Sequence, residues 1–233
     1  MRAEYVFDDG GMNLLSSEAL RALREVVVGL SGGQVVGSQM PPPPDNPTTG
    51  QPDNLVFTFR SGRPHIFAAG ADMAEMQKFS ARDAEEFARL GQEVFDEIER
   101  LPFLTVALID GDCFGGALDL VLAFDLRFAT PRSRFAHPGA RLGIVTGFGG
   151  TSRWRKVLSR RAANQLFLAN RVLGAAEALE LGLVDRVAES HEEELQNLEG
   201  RDVSLVKQLT NHADLLSREE LLLLARRLSG RFD

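Results

Sequence analysis

The segment Thr105-Val106-Ala107-Leu108-Ile109-Asp110-Gly111-Asp112-Cys113-Phe114-Gly115-Gly116-Ala117-Leu118-Asp119 decides how this chain is read. An apolar, partly β-branched run breaks on glycines and resumes as Leu118-Asp119-Leu120-Val121-Leu122, which predicts a buried strand, a tight turn and a helix N-terminus. Such a turn points backbone N–H groups at whatever lies in front of it. Glycine lets a ligand approach closely because it has no Cβ. The geometry suits an anion.

The pattern recurs upstream. A strand Leu55–Phe59 is followed by a turn through Ser61-Gly62-Arg63-Pro64 and a glycine-interrupted run, Ile66-Phe67-Ala68-Ala69-Gly70-Ala71-Asp72-Met73. Ser80 then caps a long helix whose apolar face is Ala84, Phe87, Ala88, Val94, Phe95, Ile98 and Leu101. Before this pair, residues 1–15 predict at most an edge strand, and Ser16 or Ser17 caps a helix with the face Leu20, Leu23, Val27 and Leu30. Residues 34–53, with Pro41-Pro42-Pro43-Pro44 and Asn46-Pro47, read as an exposed loop within one domain. Downstream come short strands Leu126–Ala129 and Ser133–Ala136, then a third glycine cluster, Gly143 to Gly150, opening a helix. Gly174–Gly182 reads as a helix stopped by its glycine, and Leu183–Val187 as a strand. From Glu189 onward the chain reads as amphipathic helix, including Leu205–Leu209 and Leu221–Leu228, so the expected division is a core over 1–188 and a helical region over 189–233.

Composition narrows the function. With 233 residues and 44% apolar content the chain builds a substantial core. No apolar run reaches the roughly 20 residues of a membrane span, and the first residues lack a signal-peptide core. One cysteine, Cys113, excludes an internal disulfide framework and suits a reducing cytosol. A net charge of −7, from 26 basic and 33 acidic residues, gives no general attraction to nucleic acid or an anionic membrane. The cluster Arg153, Arg155, Lys156, Arg160 and Arg161 reads as a solvated helix face.

There is no Gly-x-x-x-x-Gly-Lys-Ser/Thr loop, no Gly-x-Ser-x-Gly elbow and no paired His or Cys spacing for a metal. Cys113 has no base visible in the sequence and reads as a small buried residue. What remains is glycine clusters and a few carboxylates. Phe67-Ala68-Ala69-Gly70-Ala71-Asp72-Met73-Ala74-Glu75-Met76, Asp110-Gly111 through Asp119-Leu120, Phe135-Ala136-His137-Pro138 with Leu142-Gly143, and Gly147-Phe148-Gly149-Gly150-Thr151 resemble, in order and spacing, the motifs of the crotonase superfamily, the enoyl-CoA hydratases and isomerases. The likeness runs over residues 12–190 and ends in Gly182-Leu183-Val184.

The resemblance implies an α/β fold, a crotonase-like spiral of repeated ββα units with a helical C-terminal region, assembled as trimers or pairs of trimers. It implies an acyl-CoA thioester as ligand, with coenzyme A entering as part of the substrate and no tightly bound cofactor. By position, the backbone N–H groups of Ala71 and Gly116 bind the thioester oxygen, and the substrate runs along Ala69, Gly70, Asp72, Gly115, Gly139 and Thr146. Two preorganised donors at a helix N-terminus are what a developing enolate requires. Position 74 carries Ala74 and no lysine, so the 3′-phosphate end draws its charge from elsewhere.

The chain also departs from the family. A hydratase of this type uses two glutamates, one three residues after the oxyanion-hole glycine and one directly after the proline of the Phe-x-x-Pro segment. Here those positions hold Asp119 and Gly139, and a glycine transfers no proton. Asp119 is the candidate for acid/base work; as a plain structural residue it is an acidic first-turn residue favoured by the helix dipole. His137 is a base if it turns inward, and Asp112 reads as a solvent-facing turn aspartate. Thr146 lies where the dihydroxynaphthoyl-CoA synthases, which share the glycine of position 139, carry an aspartate. Phe148 and Trp154 read as acyl-pocket lining or as core. Modified hydration, isomerisation, decarboxylation, thioester hydrolysis and a non-catalytic CoA-binding subunit all fit these residues.

Overall fold

The computed structural model describes residues 1–31, 55–199 and Lys207. The proline-rich stretch 34–53 and the leucine-rich segments 205–209 and 221–228 lie outside the described residues, Lys207 apart.

In chain order the elements are β1 (Arg2–Phe7), β2 (Leu14–Leu15), α1 (Ser17–Ser31), β3 (Val56–Ser61), β4 (Ile66–Ala68), β5 (Gly70–Ala71), α2 (Met73–Met76), α3 (Ala81–Arg100), β6 (Leu104–Ile109), β7 (Asp112–Phe114), α4 (Gly116–Val121), β8 (Leu126–Ala129) and β9 (Arg134–Ala136). A 3₁₀ turn over Pro138–Leu142 follows, then α5 (Gly150–Val157), α6 (Arg160–Ala163), a π-helical turn over Asn164–Leu168, β10 (Leu173–Gly174), α7 (Ala175–Glu180), β11 (Arg186–Val187) and α8 (Glu192–Leu198). The first strands of successive units join a parallel sheet in the order β1-β3-β6-β8-β11. The second strands join another sheet, β10-β9-β7-β4. This alternation between two sheets is the winding of a ββα spiral, and it leaves α4 inside.

Local chemistry explains most boundaries. Ser80 and Asp83 form a reciprocal capping box at the start of α3, and Phe87, Val94, Phe95 and Ile98 face the core. The Ser16 hydroxyl accepts from the Ala19 N–H, and α1 buries Leu20, Leu23, Val27 and Leu30. On one side of the parallel sheet, Phe59 packs against Phe67 at 5.6 Å and Phe124 at 5.8 Å. On the other, Val56, Val106 and Phe128 are covered by Leu195 of α8, as a parallel sheet buried on both faces requires. Lys207 reaches back into the body, its ammonium 2.8 Å from Asp125 and 3.0 Å from the Phe103 carbonyl. Burial pushes its pKa down against the pull of Asp125.

Three readings of the sequence need correction. Between Ile109 and α4 the chain makes a further strand, β7, instead of a single turn, because Gly111 reverses it at φ +87° and Cys113 pairs with both neighbouring strands. Asp112 is therefore a strand residue, and both its oxygens accept from Arg134, its partner across β9, at 2.7 Å. Arg153 is buried, not solvated: α5 packs on α3, so the guanidinium lies between Asp96, Glu99 and the Phe148 carbonyl.

A Cβ at Gly111 would lie 2.0 Å from the His65 carbonyl carbon and oxygen, on top of the positive φ. Gly111→Ala is expected to destabilise the protein by about 3 kcal/mol or more in urea unfolding. Asp110 is held below the usual carboxylate range chiefly by the Arg132 guanidinium, which donates from Nη2 at 2.8 Å. A carboxyl whose pKa is depressed by folding adds stability above its unfolded pKa and loses it as the pH falls through the folded one. Asp110→Asn should accordingly cost under about 1 kcal/mol at pH 7, and the difference should shrink as the pH falls through the folded-state pKa, by denaturant titration over a series of acid pH values.

Candidate active site

A cavity of about 330 Å³ opens between β5, α3, α4 and the 137–148 segment. Its walls are largely apolar, with Met73, Met76, Phe79, Phe87, Ile144 and Phe148 among them. Of the described residues that line it, none is Lys, Arg, Asp or Glu. Ala69, Gly70, Ala71, Gly115, Gly116, Gly139 and Thr146 all line it, so seven of the nine residues singled out by sequence come together.

The glycines explain how two loops reach the start of α4. Gly70, at φ +100°, has no room for a Cβ, which would stand 2.7 Å from the Phe114 carbonyl oxygen and 3.1 Å from the Gly116 nitrogen. A Cβ on Gly116 would in turn lie 3.3 Å from the Ala71 nitrogen. The amides of Ala71 and Gly116 therefore sit side by side on the cavity wall. Gly116 is the first residue of α4, where an N–H has no acceptor within the helix.

The remaining two residues stand apart from the cavity. Asp72 caps α2, its carboxylate accepting from the Ala74 N–H at 2.9 Å and the Glu75 N–H at 3.1 Å. Asp119 is fully buried in α4. One of its oxygens accepts from the Thr146 hydroxyl. The other, Oδ1, lies 3.5 Å from Nε2 of His137, which is buried at 6% exposure and does line the cavity. His137 directly follows β9, and its ring packs on Phe167 with centroids 4.8 Å apart.

Phe148 serves as both core and pocket wall. Its ring packs edge-on against Phe87 at 5.1 Å and Phe95 at 5.6 Å, and it occupies the space where a Cβ of Gly91 would be, 2.2 Å away. Trp154 packs against the core and does not line the cavity. The sequence assigns no site role to Phe87 or Ala88, because a helical stripe facing a pocket has the same period as one facing a core. Nothing in the sequence marks the Thr146–Asp119 bond either, since its ends are 27 positions apart.

The profile of the enoyl-CoA hydratase/isomerase family matches residues 56–220. The chain belongs to that family, within the crotonase superfamily. It is 32% identical over 202 residues to a crotonyl-CoA hydratase of Syntrophomonas wolfei, covering 86% of this chain and 71% of the relative. It is 36% identical over 143 residues to an enoyl-CoA isomerase/hydratase of Mycosarcoma maydis, covering 61% of this chain and 52% of the relative. With a short-chain-enoyl-CoA hydratase of Clostridium acetobutylicum it shares 36% over 126 residues, 54% of this chain and 48% of that one. The match thus spans about half the length of the latter two. The fold is that of Pseudomonas aeruginosa DspI, with a TM-score of 0.82 at 23% identity over 100% of this chain and 92% of the other. An enoyl-CoA hydratase of Thermoplasma volcanium superposes with a TM-score of 0.82 at 21% identity, over 99% and 88%.

Cys113 is fully buried, and desolvation raises its thiol well above the ordinary range, with the Asp119 carboxylate adding to the effect. It should resist a thiol reagent such as DTNB at pH 8 in the native protein and react stoichiometrically in denaturant; rapid native reaction would place the sulfur at the surface.

Proposed function

We propose that this protein binds an acyl-CoA thioester through its carbonyl and acts on the enoyl form, adding water or moving the double bond. Coenzyme A is part of the substrate, and no separate tightly bound cofactor is required. The observation that carries the reading is the pair of adjacent amides, Ala71 and Gly116, at the head of an apolar cavity. Two N–H donors aimed at one thioester oxygen stabilise the negative charge that develops there, and loss of one donor in comparable sites costs about 10²-fold to 10³-fold in rate. Assembly as trimers or trimer pairs in the cytosol belongs to the same reading, and it is measured by light scattering.

The walls favour an uncharged acyl chain. A carboxylated acyl group, as decarboxylation requires, would enter a cavity whose described walls hold no Lys or Arg, and burying an unpaired carboxylate is costly. A second reading, a thioester-binding subunit without turnover, draws support from the lack of any lining carboxylate among the described residues.

Purified protein incubated with crotonyl-CoA and longer 2-enoyl-CoA thioesters should lose the absorbance of the conjugated enoyl group. Malonyl-CoA and glutaconyl-CoA should release no carbon dioxide. Tight binding of all these thioesters with no turnover would favour the second reading, and decarboxylation faster than hydration would overturn the uncharged-chain assignment.

A further inference from the structure

Two buried polar atoms beside the cavity lack a hydrogen-bond partner, Oδ1 of Asp119 and Nε2 of His137. They face each other at 3.5 Å. Buried polar groups are normally satisfied, and each exception needs a physical reason. Here the carboxyl is fixed: Oδ2 is held by the Thr146 hydroxyl, and the α5 backbone stands so close to Oδ1 that a Cβ on Gly150 would lie 1.7 Å from it. The imidazole is held too, tilted at 39° against the Phe167 ring and set between β9 and the 3₁₀ turn.

His137 lines the cavity, and the far edge of its ring, Cε1 and Nδ1, lies beside Gly139. A Cβ on Gly139 would lie 2.8 Å from the Ile144 carbonyl oxygen and 3.2 Å from both Cε1 and Nδ1 of His137, so a side chain at 139 would crowd both that backbone and the imidazole. Glycine at 139 therefore leaves room for the ring as well as for the Ile144 carbonyl. Both positions line the cavity.

We propose that His137 is the catalytic residue that carries the proton in the reaction proposed above, acting through Nδ1, and that Asp119 is its positioning residue, itself held by Thr146. The inference rests on the enoyl-thioester reading and supplies the group which that reading leaves unnamed. In hydration, the Nδ1 lone pair takes a proton from water as the water oxygen bonds to the β-carbon. The π electrons of the double bond move to the thioester oxygen, where the Ala71 and Gly116 N–H groups hold the charge. The imidazolium, its Nε2–H directed at Asp119 Oδ1, then returns that proton to the α-carbon, and the enolate electrons form the new C–H bond and restore the carbonyl. One water is consumed, the proton taken is the proton returned, and no other reagent enters. A carboxyl group on the far nitrogen fixes the tautomer with Nδ1 free and stabilises the cation that forms. Contacts of this kind are commonly long without substrate and shorten in the complex.

The test uses the full chain with crotonyl-CoA for turnover and butyryl-CoA for binding by calorimetry. His137→Gln retains an amide that reaches Asp119 but no base, and Asp119→Asn is isosteric beside Gly150 while forcing the wrong tautomer. Each should lower kcat by about 10²-fold to 10⁴-fold and leave the butyryl-CoA Kd within about threefold, since the loss falls on proton transfer and not on binding. The double variant should be no worse than either single one, whereas two separate structural losses would multiply. Imidazole added to His137→Gly should restore turnover, which guards against a folding defect in the glutamine variant. If wild type hydrates crotonyl-CoA and His137→Gln retains kcat within about fivefold, the assignment of His137 falls while the enoyl-thioester reading stands. A multiplicative double variant would remove Asp119 from its positioning role. Wild-type protein that binds butyryl-CoA but turns over no enoyl thioester would overturn both readings.

Discussion

The close burial of α4 among other backbone segments is the constraint on which the rest of this structure depends. Ala117, Leu118, Asp119, Leu120 and Val121 are all inaccessible. Three close approaches around the helix depend on glycine: Gly70 against the Phe114 carbonyl just before it, Gly116 at its first residue against Phe148, and Gly150 at the start of α5 against Asp119. Interiors packed to crystal-like density transmit such contacts directly, so an added methyl at any of them would move a neighbour. The same closeness leaves the amides of Ala71 and Gly116 next to each other at the one end of α4 that meets the cavity.

Burial of a carboxyl in that helix would be costly without partners, and the protein treats its buried charges unequally. Asp125 accepts from the Thr105 N–H and hydroxyl, each at 2.8 Å, and pairs with Lys207. Arg127 donates to the carbonyls of Leu183 and Phe124 and to Asp185. Those networks tie strands and helices together and leave their groups satisfied. Around Asp119 the bonding stops one step short, with Oδ1 and His137 Nε2 unpaired and adjacent. A fully bonded network stabilises a fold, while an incomplete one beside a pocket retains capacity to take and return a proton.

Much of the architecture was legible from residue patterns. The faces of α1 and α3, the caps at Ser16 and Ser80, and the strands at 56–61, 104–109, 126–129 and 134–136 follow from periodicity and capping chemistry, which act within a turn or two of the chain. The exceptions have a common cause. Arg153 looks like a surface cation until α3 brings Asp96 and Glu99 to it from over fifty positions away. Asp112 looks like a turn residue until β9 supplies Arg134 across the ladder. At the site, the glycines that bring Ala71 and Gly116 together are visible in sequence because a missing Cβ is a local property. The direction of the Asp119 side chain is not, because it is set by Thr146, His137 and Gly150.

The sequence by itself therefore determined the family and the recurrence of strand, glycine turn and helix, since glycine spacing and apolar period are written one residue at a time. Only the tertiary structure decided what the carboxylate does. Within α4, Asp119 is a first-turn acid, compatible equally with a helix dipole and with a catalytic role. Long-range packing turns it away from the cavity and against His137, and it lets the imidazole occupy the space beside Gly139. Side-chain direction inside a close-packed core is a property of all the neighbours together, and those neighbours come from separate parts of the chain.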